Sequence, residues 1–217
     1  MGRPKGDTQK RIQECALEEF CEIGYNNLSI RKLAKKVGIS HEAIYMHFSS
    51  KQEIAETLIN RYKSIIALRS KYQKNEENPY FRYLFYWILH YQFMNKYKGF
   101  ANFCFEFRNS HAQAFNAIIC RYYKMSSWFL FENLNLTYDE ENHAQIIISD
   151  VHISLVNFYI TGKMSLTEAF TYQMKVTNSL QDMNIPIDNL EKLIPEVGAS
   201  ITDELLSEIA SELGMKE

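Results

Sequence analysis

Most of the residue patterns that build catalytic or metal sites are missing from this chain. Its four cysteines (Cys15, Cys21, Cys104 and Cys120) include no CxxC pair. Cys15 falls on the apolar stripe of a helical segment, which reads as a reduced core thiol. His143 and His152 are nine residues apart rather than three or four, the wrong spacing for ligands on one helix, and no Cys/His pair does better. No nucleophile stands near a base, no glycine-rich phosphate loop is present, and carboxylates are not paired for acid–base work. Asp150 with His152 does not suffice. An enzyme is therefore not expected, nor is a metal or cofactor. No run of 18 apolar residues and no secretory leader are visible, so the expected location is cytoplasmic, away from the membrane. A global basic charge is lacking too, with 24 Lys and Arg against 26 Asp and Glu.

What is present describes an ordinary globular protein of one large or two small domains: 217 residues, 46% hydrophobic and 23% charged. Charge is unevenly spread. Residues 1–51 carry nine Lys/Arg against six Asp/Glu, a net of +3, whereas residues 184–217 carry two against eight, a net of −6. The basic end holds the most informative stretch, SIRKLAKKVGISHEAIYMHFSSK (29–51). Ile30, Leu33, Ala34 and Val37 form one apolar stripe at helical spacing, and Gly38 stops it. Ser40 is a good N-cap for a second short helix that turns Ile44 and Phe48 inward. Two short helices around a glycine-containing turn form a helix-turn-helix, whose second helix enters a DNA major groove.

The run LSIRKLAKKVGIS, followed by IY-x-HF-x-SK, resembles the DNA-binding domain of the TetR family of bacterial transcriptional regulators over residues 8–58. The spacing from Arg31 through Gly38 and Tyr45 to Lys51 fits without a gap. The resemblance implies an all-α protein: an N-terminal three-helix DNA-binding domain (1–52) and a C-terminal helical effector-binding and dimerisation domain (53–217), with 184–217 an acidic extension. It also implies phosphate contacts from Tyr45, His47 and Lys51. Ser29 and Ser40 add hydroxyls and helix N-termini. Arg31 can span guanine O6 and N7, with His41 and Ala43 beside it as base readers. Many family members have Gly-Thr where this chain has Glu42-Ala43, and a carboxylate near the groove costs affinity unless it is paired. The basic leader MGRPKG, with Arg3 and Lys5, suits a minor-groove arm as well as a solubilising tail.

Around the helix-turn-helix, Asp7 is expected to cap a helix to Ile23 with Ile12, Cys15, Ala16, Phe20 and Ile23 inward. Ser50 and Glu53 form a capping box for a long helix to Gln73, striped by Ile54, Leu58, Tyr62, Ile65 and Arg69. The polar run KNEENP (74–79) closes it. Residues 80–107 then hold thirteen aromatics, far above the chain-wide 14%. The part up to Tyr97 reads as a buried helix, and the alternating Phe103, Phe105 and Phe107 as helix or turn. Capping boxes at Ser110/Gln113, Thr137/Glu140 and Ser165/Glu168 predict helices near 111–133, 138–161 and 166–182. The last two must run antiparallel. The middle one is apolar nearly all round and needs cover from a second subunit, which fits the four-helix dimer bundle of TetR-like proteins. Pro186 and Pro195 interrupt the remainder, and a last helix from about Ile201 turns Ile201, Leu205, Ile209 and Leu213 inward, its acidic outer face solvated.

The aromatic half holds the candidate sensor. Tyr83, Trp87, His90, Tyr91, Phe103, Phe107, Arg108 and His111 are expected to line a mostly apolar cavity with a few polar handles. Arg108 or Arg121 would meet an anionic end. The expected function is a homodimeric repressor, paired through helices near 138–161 and 166–182 and released from a palindromic double-stranded DNA operator by an apolar or aromatic effector. The rival keeps the fold but makes the C-terminal half a protein-interaction surface, and a solid aromatic core would favour it.

Overall fold

Eleven helices and no strand run among the residues described by the computed structural model (5–71, 73, 81–131, 138–181 and 189–216). α1 (Lys5–Ile23) begins two residues before Asp7. Asp7 is thus no N-cap but a first-turn carboxylate, where the helix dipole favours it. α1 buries Ile12, Ala16, Leu17 and Phe20, while Cys15 is only half-buried. Gly24, at φ 84°, ends it in a left-handed conformation that a side chain would strain.

α2 (Ile30–Val37) and α3 (His41–Tyr45) are bounded by the residues that the sequence marks out. Ser29 Oγ accepts from the Lys32 amide at 3.2 Å and Ser40 Oγ from the Ala43 amide at 3.1 Å. Gly38, at φ 75°, caps α2. Leu33, Ala34, Val37, Ile44 and Phe48 then meet in one small core. α4 (Lys51–Lys71) follows at once. Its cap departs from the expected box: Ser50 Oγ accepts from the Glu53 amide, but the Glu53 carboxylate turns to the amide and hydroxyl of Ser49, at 2.6 and 2.7 Å. At 21 residues the helix is about 32 Å long, so it supports the helix-turn-helix at one end and joins the second layer of helices at the other.

In that layer α5 (Phe81–Lys96) is buried at every position from Tyr83 to Tyr91, as an all-round apolar helix must be. α6 (Lys98–Ser110) is helical through the alternating phenylalanines. Phe103 and Phe107, four apart, are buried on one face while Phe105 is only partly covered. The expected Ser110/Gln113 cap does not form, because α6 continues to Ser110. Its hydroxyl donates to Asn26 Oδ1, and α7 (Ala112–Phe131) starts beyond His111. α8 (Tyr138–Ile160) and α9 (Leu166–Gln181) pack along each other. Gly162 at φ 72° turns the chain between them. The Ser165/Glu168 box there is fully reciprocal, amide to hydroxyl one way and amide to carboxylate the other. Arg3, KNEENP, the Thr137 cap and Pro186 lie outside the described residues.

Two expectations about the chain's last stretch are corrected. Pro195 does not interrupt it but sits inside α10 (Leu190–Ala199). Pro195 and Glu191 are both exposed, so water can take the Glu191 carbonyl that the missing N–H leaves unpaired. Nor is the acidic segment only solvated. α10 packs on α5 and α11 (Asp203–Leu213) on α4, with Leu206 rather than Leu205 turned inward beside Ile209, Ala210 and Leu213. Arg61 donates to the Glu212 carbonyl at 2.6 Å, and Arg69 pairs with Glu208 and Glu212 at 3.4 and 3.2 Å. Such exposed pairs contribute little individually, about 0–1 kcal/mol; they orient α11 while its apolar face holds it.

α6 approaches the end of α1 so closely that a methyl group on Gly99 would strike the Cys21 carbonyl. Gly99→Ala is therefore expected to destabilise the protein by about 1–3 kcal/mol through overpacking. A urea midpoint equal to that of the parent would show that the helices can part without cost.

Candidate nucleic-acid interface

The small core of α1–α3 leaves one face of the helix-turn-helix in solvent. Arg11 donates to the Val37 carbonyl at 2.6 Å and so fastens the end of α2 to α1. On the open side stand Arg31, Lys32, Lys35, Tyr45 and Met46, with Tyr45 at 48% and Met46 at 73% exposure. Large exposed side chains on a five-residue helix bury nothing in this fold. The His41 ring meets Tyr45 edge-on, with centroids 5.0 Å apart. Glu42 is fully exposed at the start of α3. A hydrogen bond from its own amide, then one from Ser40, holds its carboxyl below the ordinary range. Its negative charge is satisfied by the helix N-terminus.

Ser29 Oγ spends a lone pair on capping, which leaves its O–H to donate outward, whereas the Ser40 O–H is turned to Glu42. Arg31 is exposed, Ala43 and His47 half-buried. Lys36 is occupied by Glu18 and Glu19 at 3.6 and 2.8 Å. Lys51, expected at a phosphate, is also engaged within the protein. Its ammonium donates to the carbonyls of Tyr25 and Leu28 at 2.8 and 2.9 Å and lies 4.1 Å from the centre of the Tyr25 ring. Burial pushes its pKa down. It ties the turn between α1 and α2 to the start of α4, and two of its three N–H donors are thereby used within the protein.

A model of the bacterial regulatory proteins of the tetR family matches residues 12–58, which run from the core of α1 through α2 and α3 into α4. Residues 12–58 thus match the DNA-binding domain of the tetR family. The HTH-type transcriptional regulator YuxN of Bacillus subtilis is 38% identical over 56 residues, 26% of this chain and 19% of that protein. An HTH-type transcriptional regulator of Staphylococcus aureus (strain USA300) is 30% identical over 76 residues, 35% of this chain and 41% of that protein. The matches thus span less than half the length of these relatives. Over nearly the whole chain, the fold is that of a TetR-family regulator from Streptomyces coelicolor, with a TM-score of 0.54 at 16% identity over 97% of this chain and 98% of that one. A TetR-family regulator from Syntrophomonas wolfei gives 0.56 at 16% identity, covering 88% and 97%. The TetR family is one of transcriptional regulators, not of enzymes.

The eight residues expected to line a cavity divide into two groups, with Arg108 apart from both. Phe103 stacks on Phe20 at 4.7 Å, Phe107 meets the Tyr25 ring edge-on at 5.3 Å, and His111 shares a 2.8 Å hydrogen bond with the Tyr25 hydroxyl. These three belong to the junction of α6 with the α1–α2 turn, because the turn's own aromatics occupy their faces. Arg108 is paired with Asp150 on α8. Tyr83, Trp87, His90 and Tyr91 are fully buried deeper in. There ring packs on ring, with Trp87 and His90 centred 4.4 and 4.9 Å from His152. This is a packed aromatic core and not the open cavity expected. Surface grooves of about 330 and 510 Å³ lie elsewhere, one between α1 and Gly214–Lys216 and one along Arg69 and α11.

Within that core the structure sets Lys63, Ser149 and Gln173, which the sequence reading passed over, beside His90 and His152. Lys63 is 1% exposed and has no ion pair among the described residues; its ammonium lies 3.4 and 3.5 Å from the two nitrogens of His90. The Tyr62 hydroxyl reaches His90 Nδ1 at 2.6 Å. Gln173 Oε1 accepts from the Tyr91 hydroxyl at 2.9 Å and from His152 Nδ1 at 2.8 Å. That proton on Nδ1 leaves His152 Nε2 a bare acceptor. His152 Nε2, Gln173 Nε2 and Ser149 Oγ have no partner among the described residues. Burial drives the pKa of Lys63 down to about 7 and that of His152 to about 3, and holds His90 well below its ordinary value. Both imidazoles are therefore neutral. Lys63 was legible in principle, since it interrupts a second stripe on α4 formed by Ala55, Ile59 and Ile66. Nothing in the sequence alone brings Gln173 to it.

The Lys63 shift has a definite sign. With a folded pKa of about 7 against an ordinary 10.5, the unfolded chain binds more protons between those values, so stability rises with pH across that window. Replacing Lys63 by Met removes this dependence. From pH 7 to 9 the parent is expected to gain on the variant about 1 kcal/mol per pH unit, read from paired thermal melts. Parallel curves would mean that the amine keeps its solvent-like pKa.

Proposed function

We propose that the protein is a homodimeric, sequence-specific DNA-binding regulator that represses transcription until a small molecule binds its C-terminal half. The observation that carries the DNA-binding part is the open face of α2 and α3: Arg31, His41, Tyr45 and Met46 are presented on two helices fixed from behind by Ser29, Ser40, Gly38 and Arg11. Arg31 is the base reader, with His41 and Ala43 at its side. Tyr45, His47, Ser29 and Ser40 position the backbone. Repression and the organisation into residues 1–52 and 53–217 follow the habit of the family.

Dimerisation is supported by apolar side chains left uncovered on α8 and α9: Ile146, Ile147 and Phe158 on the first, Tyr172 and Leu180 on the second. A second copy of the same pair of helices buries them in a two-fold contact. Two recognition helices are then set about one DNA turn apart, for a palindromic operator. The rival reading, a protein-interaction surface without a small ligand, is favoured by the tight ring packing around Trp87. The unpartnered polar atoms in the same core favour a sensor.

Two measurements test this reading. In selection from a randomised duplex pool followed by anisotropy titration, Arg31→Ala should lose about 1–3 kcal/mol of discrimination at one guanine position, while Tyr45→Ala weakens all duplexes alike. A parent protein that selects no motif would refute the DNA reading. In light scattering after gel filtration, Ile147→Glu with Phe158→Glu should turn dimers into monomers; a dimer that persists places the interface elsewhere.

A further inference from the structure

We propose that the buried cluster of Lys63, His90, His152 and Gln173 is the effector site, and that its ligand is an organic carboxylate with an apolar or aromatic body. The proposal rests on the regulator-with-sensor reading and adds the chemistry of the ligand.

Three observations converge. First, the cluster has a cation and no anion. Lys63 is buried with its ammonium 3.4 and 3.5 Å from the two nitrogens of the neutral His90 imidazole. The nearby Asp150 on α8 is engaged by Arg108. A buried ammonium without a counter-charge is expensive to keep, and a carboxylate supplies what is missing. Second, the unsatisfied atoms form a complementary set. The Gln173 amide nitrogen is a donor without an acceptor among the described residues, and Ser149 Oγ can donate as well; Lys63 Nζ beside them has only the His90 ring, at 3.4 and 3.5 Å, and can donate further. His152 Nε2 is an unpartnered acceptor and suits a single hydroxyl or amide donor on the ligand. Ser149 and His152 lie three apart and so share a face of α8. Third, everything else around the cluster is apolar ring: Tyr62, Tyr86 and Trp87 surround the Lys63 ammonium at 5.6 to 5.9 Å, and Phe170 meets Tyr91.

The site is closed in this structure, with Trp87 and His152 in ring contact. Occupation requires α5 and α8 to part, which makes it a pocket that the ligand itself selects. Lys63 stands on α4, twelve residues from the Lys51 clamp that holds the α1–α2 turn. A ligand that draws Lys63 towards α8 thus pulls on the helix that supports the helix-turn-helix, and its effect on DNA equals its differential affinity for the two states.

The test uses thermal melts of the full chain at pH 7 with phenylacetate and octanoate, each against its uncharged amide, phenylacetamide and octanamide. At least one carboxylate is expected to raise Tm by about 3 °C while its amide does not. Lys63→Met should abolish that rise from a basal Tm no lower than the parent's, and Gln173→Leu should reduce it. Amides as effective as the acids, a rise retained in Lys63→Met, or no rise with either acid would each overturn the proposal. These arms contain no DNA. The anion site stands or falls on them, and the regulator reading on the duplex selection above.

Discussion

Tyr25 is held from several directions, and the relation between the two layers of helices depends on it. Its hydroxyl bonds His111, its ring packs among Phe20, Phe103 and Phe107, its carbonyl accepts from Lys51, and the Lys51 ammonium sits on its ring face. The amide of the next residue donates to Glu106 at 2.9 Å. A turn with so many fixed bonds cannot slide over α6 without losing several at once. The helix-turn-helix is therefore carried by α1, α4 and α6 together, and any movement reaching it must come through α4 or by breaking this junction.

The helix-turn-helix was legible because its signals are local. Ser29, Gly38 and Ser40 act on backbone groups within three or four residues, the serines through their hydroxyls and Gly38 through its left-handed backbone. The alternating phenylalanines at 103–107, read as helix or turn, lie in α6, where the four-residue spacing of two of them puts both on the buried face. Lys51 shows where local reading runs out. Its place in the motif was plain, but its partners, the carbonyls of Tyr25 and Leu28, are more than twenty residues away, and only the folded turn presents them. The aromatic half fails in the same way. Density of rings marks a buried region without saying which rings face one another, so a single expected cavity became a junction at Phe103, Phe107 and His111 and a polar core at His90. Pro195 misled because an exposed proline is cheap in a helix whose orphaned carbonyl faces water.

The polar core sets a different balance from the rest of the interior. Elsewhere buried positions are closed by apolar contact, whereas around His152 the fold tolerates donors and acceptors without partners and an ammonium without a counter-ion. Groups left in that condition lower stability, as pairing them would raise it. A fold that retains them on α4, α8 and α9 at once has three of its helices meeting at its least settled point.

The clasp of α11 on α4 has a consequence for how the molecule comes into being. Arg61 and Glu212 are 151 residues apart in the chain. During synthesis at about 5–20 residues per second, about 8–30 seconds separate the two. Throughout that interval the outer side of α4 is bare while α1 to α3 can already close on their own small core. The nascent protein thus passes through a stage with a formed head and an uncovered shaft, which the emergence of α11 ends.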